Sequence, residues 1–215
     1  VRLFVGARIS VETANAIAAC AESLQRRAKD ARVELKWVPP ANYHVTLKFL
    51  GPVRDEAIPA IRDALVRACT GVEPFKVRAS KVGAFPSLDK ASVVWAGAES
   101  EALAALAKRI ESAMAEIGFA PEARAFHGHV TICRLRETRS VRELVIPLAE
   151  QMFSESRIDG VTLFESVTKS SGSVYSELHR IGFKTAENEQ KRQTGALELS
   201  DETETDDGWP RGRSQ

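Results

Sequence analysis

The sequence predicts an α+β chain of two pseudo-symmetric lobes, each an antiparallel sheet backed by helices. Three observations lead there. The chain writes His-Val-Thr twice, as His44-Val45-Thr46 and His129-Val130-Thr131, 85 residues apart. Each copy lies in a strand-like run flanked by helical patterns, so the order helix, strand, helix occurs once in each half. The repeat is far longer than a solenoid period and occurs only twice, which excludes an array. A pseudo-two-fold would then bring the two His-Val-Thr strands face to face.

The elements follow in order along the chain. Residues 2–9 are a short apolar run and predict a buried strand. Ser10 predicts an N-cap, with Glu12 in the first turn and Ile17, Ala21 and Leu24 along one face of the helix that follows. Val33, Leu35 and Trp37 alternate as a strand until Pro39-Pro40 breaks it. Residues 43–50 predict the first His-Val-Thr strand, which stops at Gly51-Pro52. Ile58, Ile61, Leu65 and Ala68 mark one face of a helix over 56–69, with Pro59 tolerated in its first turn.

Residues 75–82 and 91–96 predict two strands joined by the turn-rich FPSLDK. Leu103, Leu106, Ile110, Ala113 and Ile117 form the stripe of a helix over 100–117. Residues 129–135 carry the second His-Val-Thr strand. A short helical stretch is expected over 141–152, interrupted at Pro147. Strands over 158–167 and 174–183 close the folded part, so the domain is read as 1–184.

Composition bounds the function. Of the 215 residues 44% are hydrophobic and 27% charged, an ordinary globular balance. No apolar run reaches the ~18–20 residues that span a bilayer, and the N-terminal VRLFVGARIS is too short for a signal peptide. The three cysteines, Cys20, Cys69 and Cys133, are widely spaced and odd in number. They point to reduced thiols in a cytoplasmic protein rather than to a disulfide framework or a zinc ribbon. Segment 185–215 holds eight acids against four bases, which leaves residues 1–184 at +5. That segment reads as a polar, acidic, disordered tail. The mildly basic body suits a polyanionic partner.

Side chains alternate on a strand. His44, Thr46 and Lys48 therefore share one face, with Val45, Leu47 and Phe49 on the apolar one. His129, Thr131 and Cys133 share the corresponding face of the second strand. Each strand sets an imidazole beside a hydroxyl. Two facing histidines can divide acid and base work near neutrality, since their ordinary pKa lies at about 6.5. Threonine hydroxyls between them can hold an oxyanion. The combination fits attack of water or a hydroxyl on phosphorus, with an alkoxide departing on the far side.

The two His-x-Thr motifs, WVPPANYHVTLKFLG (37–51), VGAFPS (82–87), FHGHVTICRLR (126–136) and LFES (163–166) resemble the two-histidine phosphoesterase superfamily. Within it the chain is most similar to the RNA 2′,3′-cyclic phosphodiesterases, also called 2′-5′ RNA ligases. The resemblance spans 1–184. It implies a bilobal fold with a central cleft, no metal and no other cofactor. The implied substrate is an RNA end bearing a 2′,3′-cyclic phosphate, tRNA halves included, and the implied state is a monomer. By the same resemblance His44 is the proton donor and His129 the proton acceptor. Thr46 and Thr131 hold the phosphate oxygens, and Arg134 adds positive charge. Gly128 departs from the family, which often has Pro there, and loosens the approach to the strand.

Competing readings are open at this stage. His44, His127 and His129 offer a three-histidine zinc site. Cys133 is either a nucleophile or a small buried residue. Lys48 reaches the phosphate or is solvated. Arg134 falls on the wrong face unless the strand twists. Tyr43 and Phe4 are stacking surfaces for a base or part of the packing. Another cyclic or 2′-5′-linked nucleotide, or non-catalytic gripping of RNA ends, would use the same histidines.

Overall fold

Side-chain alternation gives each half of the chain a set of strands with one apolar face, and the halves meet along their two His-Val-Thr strands. The computed structural model describes residues 1–169 and 172–184. The tail read over 185–215 lies outside the described residues. The elements are β1 (Arg2–Arg8), α1 (Val11–Asp30), β2 (Lys36–Trp37), β3 (His44–Pro52), α2 (Ile58–Cys69), β4 (Phe75–Phe85) and β5 (Ala91–Glu99). There follow α3 (Glu101–Glu116), β6 (His129–Arg139), α4 (Arg142–Val145), β7 (Met152–Ile158), β8 (Gly160–Lys169) and β9 (Gly172–Gly182).

The fold is α+β, as the sequence predicts. The strands form one curled antiparallel sheet in the order β7-β4-β5-β6-β3-β1-β8-β9, with β2 on the side of β6. Its midpoint is the contact between β3 and β6, where Val45 pairs with Val130. On either side the order repeats: β3-β1-β8-β9 mirrors β6-β5-β4-β7. The helices cross over between the halves. Helix α1 follows β1 in the chain but packs on β7, β6 and α4, while α3 follows β5 and packs on β3 and α2. Each half is therefore covered by a helix that the other half supplies.

Local sequence explains the helix ends. The Ser10 side chain accepts from the Thr13 amide at the start of α1, and Ser100 accepts from Leu103 at the start of α3. Ile17, Leu24, Leu103, Leu106 and Ile110 are almost wholly buried. Each such side chain stabilises the fold by about 1.5–3 kcal/mol.

Two elements differ from the sequence reading. The strand over Val33–Trp37 shrinks to Lys36–Trp37, because the Val33 amide donates to the Ala28 carbonyl and Arg32 takes φ 53 as α1 ends. That turn is a helix stop usually made by glycine. Strand β7, over Met152–Ile158, is absent from the sequence pattern. Its inward positions include Ser154 and Ser156, whose hydroxyls bond Thr13 of α1 at 2.7 and 2.8 Å. Buried hydroxyls leave no apolar alternation to read.

A third difference sits in the middle of β3. Gly6 pairs with Thr46 but Val5 with Lys48, so Leu47 is an extra residue in the strand. The bulge reverses alternation beyond it. Lys48 turns to the helix side, where it is 5% exposed, and its ammonium donates to Glu111 of α3 at 2.9 Å and to the Ala120 carbonyl at 3.0 Å. Lys48 does not reach the face of His44, and Phe49 leaves the core for it. Removing one partner of a buried pair leaves the other uncompensated. Lys48→Ala should destabilise the fold by about 3 kcal/mol, read from urea midpoints, whereas Lys48→Met should cost less than half of that.

Candidate active site

Both histidines are held by the same local device. The His44 Nδ1–H donates to the Asn42 carbonyl at 2.7 Å, and the His129 Nδ1–H donates to the His127 carbonyl at 2.7 Å. A carbonyl only accepts, so the proton of each neutral ring sits on Nδ1 and Nε2 is left for exchange. Nε2 of His44 accepts from the Thr46 hydroxyl at 3.0 Å. The first His-x-Thr motif thus places its hydroxyl on the free nitrogen of its own histidine, two residues along the same strand face.

The bulge in β3 has a twin in β6. Trp95 pairs with Thr131 and Val94 with Cys133, so Ile132 is the extra residue. Past it Cys133 turns inward and Arg134 turns to the cleft. This removes the alternation problem of Arg134, which lines the cleft beside Thr131. Phe49 and Arg134 occupy equivalent places after the two motifs, one aromatic and one cationic.

The cleft has a volume of about 130 Å³ and is lined by His44, Thr46, Thr131 and Arg134, with Phe49 and Tyr175 on the first half's wall. His129 stands close enough that its charge opposes protonation of His44. Burial pushes the His44 imidazole from the usual 6.5 down to about 4. The charges of Arg8, His129 and Arg134 add to this, against the bond to Asn42. Burial also lowers His129, helped by His127 and Arg134. Both rings are therefore neutral at pH 7.

Aromatic rings hold the His44 imidazole in place. Phe4 stacks on it with centroids 4.8 Å apart, and Tyr175 meets it edge-on at 5.3 Å. His129 has Phe85 edge-on at 5.0 Å. Phe4 itself is 3% exposed and Tyr43 is 4% exposed, so neither offers a base a free face. Phe49 does, at 60% exposure. Sequence reasoning places Phe49 in the core because a bulge leaves no mark in the alternation, and it passes over Tyr175 as an ordinary strand residue.

The remaining candidates separate. Cys133 is fully buried and burial raises its thiol to about 12, so it is packing and not a nucleophile. His127 is exposed, leaning on Trp95 at 4.8 Å and Phe85 at 5.3 Å. Among the described residues no group of three His, Cys, Asp or Glu side chains is arranged to hold a metal. Gly128 does not loosen its strand. A Cβ there would lie 2.2 Å from the Ala98 carbonyl oxygen, and the Ala98 amide donates to the Gly128 carbonyl at 2.9 Å. Glycine is required for the close approach that brings His127 and His129 into line.

A family model described as LigT-like phosphoesterase matches residues 11–95 and 97–175. The RNA 2′,3′-cyclic phosphodiesterase of Aeropyrum pernix is 31% identical over 154 residues, covering 69% of this chain and 86% of that one. The protein of the same name from Aquifex aeolicus is 31% identical over 181 residues, covering 81% and 93%. A solved structure from Thermus thermophilus matches with a TM-score of 0.75 at 24% identity, over 86% of this chain and 100% of that one. The last likeness concerns the fold. No helix among the described residues is long and apolar enough to cross a membrane.

Two outcomes follow from the geometry. Gly128→Ala should destabilise the fold by about 1–3 kcal/mol, because the added methyl meets backbone; an unchanged unfolding midpoint would contradict this. The second concerns pH. Unfolded His44 gains its proton near 6.5 and folded His44 only near 4. The unfolded state thus binds more protons between these values, and stability falls as pH drops through that window. Urea midpoints of wild type should decline from pH 7 to pH 4.5 more steeply than those of His44→Gln.

Proposed function

The chain belongs to the LigT-like phosphoesterases of the two-histidine superfamily, and from that premise we propose that it hydrolyses the 2′,3′-cyclic phosphate at an RNA end to a 2′-phosphate. The observation that carries the reading is the pair of His-x-Thr strands, each imidazole anchored at Nδ1 by the carbonyl two residues before it. Curated relatives bearing the name RNA 2′,3′-cyclic phosphodiesterase support the choice of substrate.

In this mechanism His129 takes a proton from water as it attacks phosphorus, and His44 gives a proton to the departing 3′ oxygen. Thr46 and Thr131 donate to the non-bridging oxygens, and Arg134 adds charge where the phosphorane is most negative. Burial is the main cause of the low pKa of His44, and Arg8 and Arg134 add to it. A phosphodiester anion beside the ring favours its charged form, the form the acid must carry. No metal and no other cofactor takes part. Ligation to a 2′-5′ bond is the same path in reverse and is included in the proposal. So are RNA processing, tRNA halves among the substrates, action as a monomer, and a cytoplasmic location. The three free, buried thiols support that location.

The test is release of 2′-phosphate from a short RNA ending in a 2′,3′-cyclic phosphate, with EDTA present. Wild type should retain full activity, and His44→Ala and His129→Ala should each lose about 10²–10⁴-fold. Abolition by EDTA would point instead to a metal on His44, His127 and His129. A folded wild type that opens no cyclic phosphate would leave a binding module or another phosphate ester.

A further inference from the structure

The two halves differ at the positions that pair with the two histidines. His129 pairs across the ladder with Gly97, which carries no side chain. His44 pairs with Arg8. Directly paired residues of antiparallel strands project on the same face, so Arg8 lies on the working face, at the end of β1 away from Phe49. Its guanidinium rests over the Phe164 ring at 5.3 Å, and that ring lies 5.8 Å from the His44 imidazole. The charge of Arg8 is felt at His44.

Arg8 is tethered to Glu177 of β9, but loosely. The two side chains are 49% and 39% exposed, and an ion pair in that setting is worth about 0–1 kcal/mol. A phosphate can replace the carboxylate at small cost. Arg134 lines the cleft from β6, on one side of the His44 strand, and Arg8 stands on β1, on the other side of that strand. A cyclic mononucleotide has a single phosphate, which the two histidines occupy. Only a chain brings a second phosphate to a second cation.

We propose that Arg8 is a second phosphate-recognition residue, which takes the 3′–5′ phosphodiester preceding the terminal cyclic phosphate and makes the site prefer an RNA end to a free cyclic mononucleotide. The inference rests on the phosphoesterase reading above and names its substrate more closely. Glu177 holds the guanidinium in place until the chain arrives.

Product binding tests this without turnover. Calorimetry would compare a dinucleotide ending in a 2′-phosphate with a nucleoside 2′-phosphate, and the ratio of affinities cancels any effect of Arg8 on His44. Wild type should bind the dinucleotide about tenfold more tightly, as one charge-assisted contact allows. Arg8→Ala should bring the ratio near one, Arg8→Lys should keep part of it, and Glu177→Gln should widen it. A wild type without preference, or a ratio that Arg8→Ala leaves unchanged, would overturn the proposal. The same ratio in kcat/KM on the cyclic phosphates should move in parallel. Normal binding ratios with no hydrolysis of either substrate would support the role of Arg8 and count against hydrolysis alone.

Discussion

The antiparallel pair of Val45 with Val130 joins β3 to β6 at the middle of the sheet. Both valines are fully buried, and each stands between the histidine and the threonine of its motif. Sinking them into the shared core turns His44, Thr46, His129 and Thr131 out to the opposite face, since successive side chains alternate. The pair sits on the pseudo-two-fold, so the same contact that closes the sheet also turns the two imidazoles to one face. The exchanged helices reinforce it. With α1 on β6 and α3 on β3, neither half can move away without uncovering the apolar face of the other.

Just beyond that pair both strands carry one extra residue, Leu47 in one and Ile132 in the other. A bulge sharpens the local twist and moves the side chains just beyond it to the other face. The effect is to end the core side of each motif early. Phe49 and Arg134 then face the cleft, while Lys48 and Cys133 go under the helices.

Most of the fold and the centre of the site are legible in the sequence, because both rest on short-range periodicity. The helical stripes, the two His-Val-Thr strands and the placing of His44, Thr46, His129 and Thr131 on one kind of face all follow from spacings of two or three to four residues. The bulges are not legible. Nothing in LKF or ICR distinguishes an added residue from a regular one, so alternation assigns Lys48 and Phe49 each to the wrong side. Strand β7 is hidden because its inward positions are serines satisfied by Thr13 of α1, a partner more than a hundred residues away. Gly128 misleads for a related reason. Its constraint comes from the Ala98 carbonyl on a neighbouring strand, and local sequence carries no trace of that approach.

Identical tripeptides do not make identical groups. Each imidazole is fixed at Nδ1 in the same way, so any difference between them must come from what surrounds the rings. His44 is sealed by Phe4, Phe164 and Tyr175 and lies beside Arg8, and burial is the largest cause of its low pKa. His129 meets only Phe85 and the exposed His127 among ring partners in the described residues. A sealed imidazole next to cations changes its proton affinity sharply when an anion enters, whereas a more open one changes little. The symmetric scaffold supplies two imidazoles anchored alike, and the asymmetric walls give them different surroundings. That difference is what the proposed acid and base, working in the same step, require.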